Sequence, residues 1–191
     1  SRGLVGSEMC IRDSPSCSYT HRLADCAVAL SKRCEAGDID EIHAELPDFH
    51  YAILRHDRPD TEIQARFSLP FVMAVCLVHG RLTGKHLADP RAAGEDIWKL
   101  IERTNIRQVV PRRPDMNFDP EQPDRLRVRL ISGEVIEESC AFPEGSPNVP
   151  VSRATILAKY AENAAPLRVH PDLQSWAGSP DLAAFIELVT K

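Results

Sequence analysis

An α+β domain followed by an all-helical segment is what the sequence predicts, and three stretches carry that expectation. "RLRVRLISGEVIEES" alternates Leu126, Val128 and Leu130 with Arg125, Arg127 and Arg129, and Ser132-Gly133 supplies a turn, so it reads as a β-hairpin. "SLPFVMAVCLVHG" is apolar throughout, with Ser68 placed to cap it, Pro70 in its first turn and Gly80 at its end. It reads as a buried helix. Pro143 to Pro150 is rich in proline and glycine and reads as a linker, with helical patterns beyond it.

The other elements follow in order. From Thr20 to Ala36, Leu23, Ala27 and Leu30 recur at helical spacing, with Ser18 or Thr20 as the N-cap and Gly37 as the C-cap signal. "IDEIHAELP" reads as a strand bounded by Asp38 and Pro47. Pro47 to Thr61, with His50, His56 and Pro59, is polar and irregular and reads as a loop. "GEDIWKLIERTNI" is an amphipathic helix in which Ile97, Leu100, Ile101 and Thr104 share a face, with Glu95 and Asp96 favourably placed at the positive end of its dipole. "IRQVVPR" reads as a strand. After the linker, Ser152 caps a helix running to about Asn163, and a last helix spans about Asp181 to Val189.

Residues 1–14, "SRGLVGSEMCIRDS", lack periodicity and resemble a peptide that recurs at the ends of translated sequencing reads. They read as a non-native extension. The domain expectation is therefore an α+β unit over 15–142, then the linker and terminal helices over 143–191.

Composition narrows the function. An apolar share of 43% supports a real core in a chain of 191 residues, and a net charge of -5 argues against a nucleic-acid or anionic-membrane partner. The longest apolar run, Leu69 to Val78, is about half a membrane span. The 6 cysteines form no CxxC pair, which points to a reducing, cytoplasmic setting without disulfides.

No phosphate-cradling GxxxxGK[ST], GxGxxG or GxSxG is present. The alternating arginines 125, 127 and 129 suit phosphate, or else Glu134, Glu137 and Glu138 across the hairpin; the acidic chain favours the second. His43, His79 and His86 read as surface or capping residues. Cys17, His21 and Cys26 lack a second ligand pair at zinc-like spacing, and Cys26 falls on the helix's apolar face, so no metal is expected there. His21 in the first turn of a helix, after Ser18, Tyr19 and Thr20, is placed either for proton transfer or simply for solvent.

Three stretches resemble the MmgE/PrpD family. "PSCSYTHRLADCAVAL" is similar to its Pro-x-Cys-x-x-Thr-His-x-x-x-Asp-Ala segment. "TEIQARFSLPFVMAVCLVHGRLTG" looks like its Ala-Lys/Arg-Phe-Ser segment opening a buried helix. "FPEGSPNVPVSRATILAKY" resembles its Gly-x-Pro-x-x-Pro-x-Ser segment followed by a Lys and an aromatic residue. Val149 departs from the Asn that many members carry there. The family comprises 2-methylcitrate dehydratases, cis-aconitate decarboxylases and relatives including epimerases, built from a helical domain, a smaller α+β lid and a return to the helical domain.

The resemblance implies that this chain is the lid and the return only. It implies a cytoplasmic lyase of propionate catabolism or a related route, homodimeric when intact, working on a small carboxylic acid without metal or other cofactor. It carries proton transfer or carboxylate binding to His21, and pocket-lining roles to Cys17, Thr20, Arg66 and Ser68. A stand-alone binding or dimerisation module is the non-enzymatic alternative. An open reading frame upstream of Pro15 encoding a helical domain would separate the two.

Overall fold

The computed structural model describes residues 14–156. The chain divides into two compact units, Ser1–Pro150 and Val151–Lys191. In the first, a one-turn 3-10 helix at Ser18–Thr20 leads into α1 (His21–Leu30). Then follow β1 (Ile39–Pro47), α2 (Asp48–Tyr51), α3 (Glu62–Arg66), α4 (Leu69–His79), α5 (Gly84–Ala88), α6 (Glu95–Glu102) and β2 (Thr104–Val109), and the hairpin β3 (Asp124–Leu130) and β4 (Val135–Cys140). The architecture is α+β.

The sheet runs β2-β1-β3-β4. β1 is its spine, parallel to β2 and antiparallel to β3, while β3 and β4 form the hairpin. A parallel neighbour needs a long crossover, and helices α2 to α6 supply it. α1 packs on α4, β3 and β4, while α6 packs on α4 and β1, so these three helices cover one face of the sheet. Ile42, Ala44, Leu46, Leu126, Val128 and Ile136 point into that layer and meet Leu23, Ala27, Leu30, Val72 and Leu100. α4 has no polar face because every residue from Leu69 to Leu77 is buried.

The opposite face is charged. Arg125 and Arg127 both reach Glu137 (3.3 and 2.9 Å), Arg129 reaches Asp40 and Glu41, and Arg107 reaches Glu45. The cross-strand reading thus holds through Glu137 for Arg125 and Arg127, while Arg129 turns to β1 and Glu138 to Arg33 on the helix side. His43 is exposed and pairs with Glu41.

Several boundaries differ from expectation. α1 stops at Leu30, not Ala36, because the next residues close turns instead. The Ser31 hydroxyl donates to Val28 O and the Cys34 thiol to Leu30 O. Gly37 lies in a 3-10 turn at Ala36–Asp38 without positive φ, so it is no C-cap. Neither Ser18 nor Thr20 makes a capping bond; the Thr20 hydroxyl donates to Cys17 O at 2.7 Å. Thr104 leaves α6 and opens β2, its hydroxyl donating to Leu100 O. Pro47 to Thr61 is no plain loop: α2 forms there and buries His50. His86 stands in α5, where its Nδ1 accepts from Thr83 N.

The predicted ends of α4 hold. Ser68 accepts from Phe71 N at 3.3 Å, and Gly80 closes the helix with φ 67. A Cβ at Gly80 would meet only the Ser31 hydroxyl, at 3.5 Å, so the backbone conformation alone sets the cost of filling it. Gly80→Ala should lower stability by about 1–2 kcal/mol, read as a lower urea midpoint at unchanged slope.

In the second unit, Ser152 accepts from Thr155 N at 3.0 Å and residues 153–156 are helical, as expected for a capped start. The rest of that helix and the one expected over Asp181 to Val189 lie outside the described residues.

Candidate functional site

The start of α1 is built from three places in the chain. Residues 15–17 dock on the end of α3: Cys17 N donates to Arg66 O at 2.9 Å, and Arg66 Nη1 donates to Pro15 O at 2.6 Å. The other arm of Arg66 bonds Glu62 one turn back, so its guanidinium fastens α3 to this segment. Arg66 stands in the last turn of α3 and not at a helix start. Two residues on, Ser68 is fully buried and its hydroxyl caps α4.

Inside this frame, the Ser16 and Thr20 hydroxyls share a hydrogen bond of 2.8 Å. His21, with 5% of its surface exposed, sets Nε2 at 3.2 Å from Ser16 O. A carbonyl oxygen only accepts, so Nε2 carries a proton, and of the two neutral tautomers the contact selects the one protonated there. Of the five residues singled out in the sequence, Cys17, Thr20, His21 and Arg66 are linked by these bonds, while Ser68 bonds within its own helix start. Cys17 is half-buried and burial pushes its thiol pKa up, so the side chain presents a neutral S-H and not a thiolate nucleophile. Thr20 is fully buried and committed to Ser16 and Cys17.

Sequence reasoning missed the residues on the other side of His21. Arg22 is fully buried and pairs with Asp124 at 3.0 Å. Its Nε donates to Ala141 O and its Nη2 to Asp119 O, both at 2.8 Å, and its guanidinium lies over the Phe118 ring at 5.1 Å. Two signals were available. A cation in a helix's first turn opposes the dipole, and Asp124 falls on the inward-facing set of β3 with Leu126 and Val128. Burial raises the Asp124 carboxyl above its usual range, while the Arg22 charge pulls it the other way.

His50 is the second omission. It is fully buried, stacks on Tyr19 (4.1 Å, 18°), meets Phe49 and Phe118, and donates from Nε2 to Asn117 O at 2.8 Å. Burial is the main reason its pKa falls to about 4, with the Arg22 charge adding to the effect. The unfolded chain binds a proton near pH 6.5 that the folded chain refuses until about pH 4. His50 therefore stabilises fully above pH 6.5, and that share is lost as pH falls toward 4, up to about 3 kcal/mol. Urea midpoints at pH 7 and 4.5 should fall further apart in wild type than in His50→Phe. Equal differences would remove the assignment. Asp124 titrates with the opposite sign, so the comparison between variants is what isolates His50.

A third tie explains the spacing between two of the motifs. Asp25, one turn after His21, accepts from Glu144 N at 2.7 Å, and so holds the turn that Gly145 (φ 89) makes in the Pro143 to Pro150 segment. Cys26 points into the core, where burial keeps it a thiol. Among the described residues, no three His, Cys, Asp or Glu side chains cluster as metal ligands would, and no helix is long and apolar enough to cross a membrane.

Comparison with known proteins bears on these motifs directly. No curated protein matches the chain. A family model, the MmgE/PrpD C-terminal domain, matches residues 14–174, a span that contains all three motifs and the whole frame around His21. The chain belongs to the MmgE/PrpD family and carries its C-terminal domain.

Proposed function

We propose that this chain supplies one wall of the active site of a lyase acting on 2-methylcitrate or a related small tricarboxylic acid, the other wall coming from a helical domain of the intact enzyme. The observation that carries the reading is the buried His21, held by Ser16 O at the frame where residues 15–17 meet Arg66, in a chain of this family. In a dehydration, a base takes the proton from a carbon beside a carboxylate, the C-H electrons become the new C=C bond, and the hydroxyl on the next carbon leaves with a proton as water. An imidazole in one fixed tautomer is suited to either proton movement near neutral pH.

Cys17 offers a neutral S-H beside it. Arg66, Thr20 and Ser68 shape the wall through the bonds that hold it, and contact with the substrate falls to His21 and Cys17. The family includes dehydratases, decarboxylases and epimerases, and the part of the site that selects among them lies in the other wall. The intact enzyme, pure and in chelator, should convert 2-methylcitrate with loss of water, followed by mass spectrometry. The 191-residue chain alone should not. Absence of turnover across a panel of di- and tricarboxylic acids by the intact enzyme would sink the reading.

A further inference from the structure

His21 is flanked by two residues that grip the same loop. Tyr19 lies flat on His50, points its ring edge toward Phe118 (6.3 Å) and donates from its hydroxyl to Asn117 Oδ1 at 3.4 Å. Arg22, the residue after His21, reaches Asp119 O, Gln122 O and Asp124 Oδ1, and its guanidinium lies over the same Phe118 ring. His50 ties in the backbone of the loop at Asn117 O. Residues 117–124 thus form a strap gripped by the side chains that precede and follow His21 in the sequence.

We infer that Tyr19, Arg22 and the 117–124 strap are positioning residues that fix the orientation of the His21 ring, an inference that rests on the role proposed above for His21. A buried ion pair seldom stabilises more than apolar residues of the same volume, and its best-attested use is to fix a unique geometry. The guanidinium is a rigid planar fork, so bonds to Ala141 O, Asp119 O and Asp124 set the rotation of α1 as well as its distance from the strap. Tyr19 ties the 3-10 turn at Ser18–Thr20 to the same strap. The His21 Nε2 bond to Ser16 O survives only while the turn and the helix keep their mutual angle. Proton transfer tolerates little error in that angle, since a misplacement of about 1 Å can cost about a hundredfold in rate.

The test reads the ring itself. In the 191-residue chain with labelled histidine, long-range proton–nitrogen correlations should show His21 in the Nε2-H tautomer. In Arg22→Met/Asp124→Leu, which removes both buried charges together, and in Phe118→Leu, the pattern should move toward the tautomer mixture of a free histidine while the rest of the spectrum stays dispersed. Phe118 is only half-buried, so the second variant keeps the test alive if the first fails to fold. Arg33→Ala, which breaks the exposed pair with Glu138 beyond the other end of α1, is the control and should leave His21 unmoved. An unchanged His21 tautomer in a folded Phe118→Leu chain overturns the inference. Failure of the functional reading would show elsewhere, as undiminished turnover by a His21→Ala enzyme, and leaves the tautomer result intact.

Discussion

Arg22→Met should destabilise the α+β unit by about 3–5 kcal/mol, the largest effect expected of any single substitution in it. The reason is not the energy of the pair but what its loss leaves behind. Asp124 has no exposed side-chain surface, and its second carboxylate oxygen is already without a hydrogen-bond partner. Removing the guanidinium strands a carboxylate in an apolar layer beside Leu126 and Val128 and frees the carbonyls of Asp119 and Ala141. The stranded carboxyl escapes by protonating, so the loss should shrink as pH falls toward 4, a sign that a mere packing defect would not give. The paired change Arg22→Met/Asp124→Leu should recover most of the loss at neutral pH, because no charge is then buried. Urea unfolding of wild type, both single variants and the double variant completes the cycle. If Arg22→Met unfolds at the wild-type midpoint at pH 7, the buried pair is not what organises this end of α1.

The α+β class and the longer elements could be read from the chain because they follow from patterns local in sequence. The period of two in β3 and β4, the cap and glycine bounding α4, and the apolar stripe of α6 each declare one element and its buried face. What could not be read were features whose cause lies far away in the chain. α2 forms because His50 finds Tyr19 and Phe118, 31 residues before it and 68 after it in the sequence, whereas the early end of α1 is local, set by side chains that reach back to its own carbonyls. The candidate site divides the same way. His21, Thr20 and Cys17 stand in one short motif, and Arg66 and Ser68 in another. Arg22 and Asp124 each carry a local signal, but they stand 102 positions apart and only the fold pairs them.

That division has a chemical consequence. The residues visible as motifs are held by backbone contacts: Pro15 O with Arg66, Ser16 O with His21, Cys17 N with Arg66 O. The residues invisible to motif reading supply the charge and the aromatic surface against which that frame is pressed. A motif match alone would therefore not guarantee a working site. A chain keeping "SYTH" but losing Asp124 should keep the resemblance and lose the geometry.

The functional prediction with the largest effect is at His21. On the proposed role, His21→Ala in the intact enzyme should lower kcat on its substrate by about a hundredfold or more. KM should change far less, because proton transfer is realised in the transition state and a hydrogen bond to the bound acid is only part of the imidazole's work. His21→Gln separates the two jobs. A glutamine amide can still donate to Ser16 O and keep the frame, as unchanged thermal unfolding would show, yet it cannot take up or release a proton near neutral pH. Loss of kcat in both variants with the fold intact assigns proton transfer to His21. Loss in alanine but recovery in glutamine would leave it a frame residue, and the proton-transfer group would then have to come from the other wall of the site. A pH profile adds the last discrimination: one limb of the wild-type kcat/KM bell should belong to an imidazole and should disappear in His21→Gln.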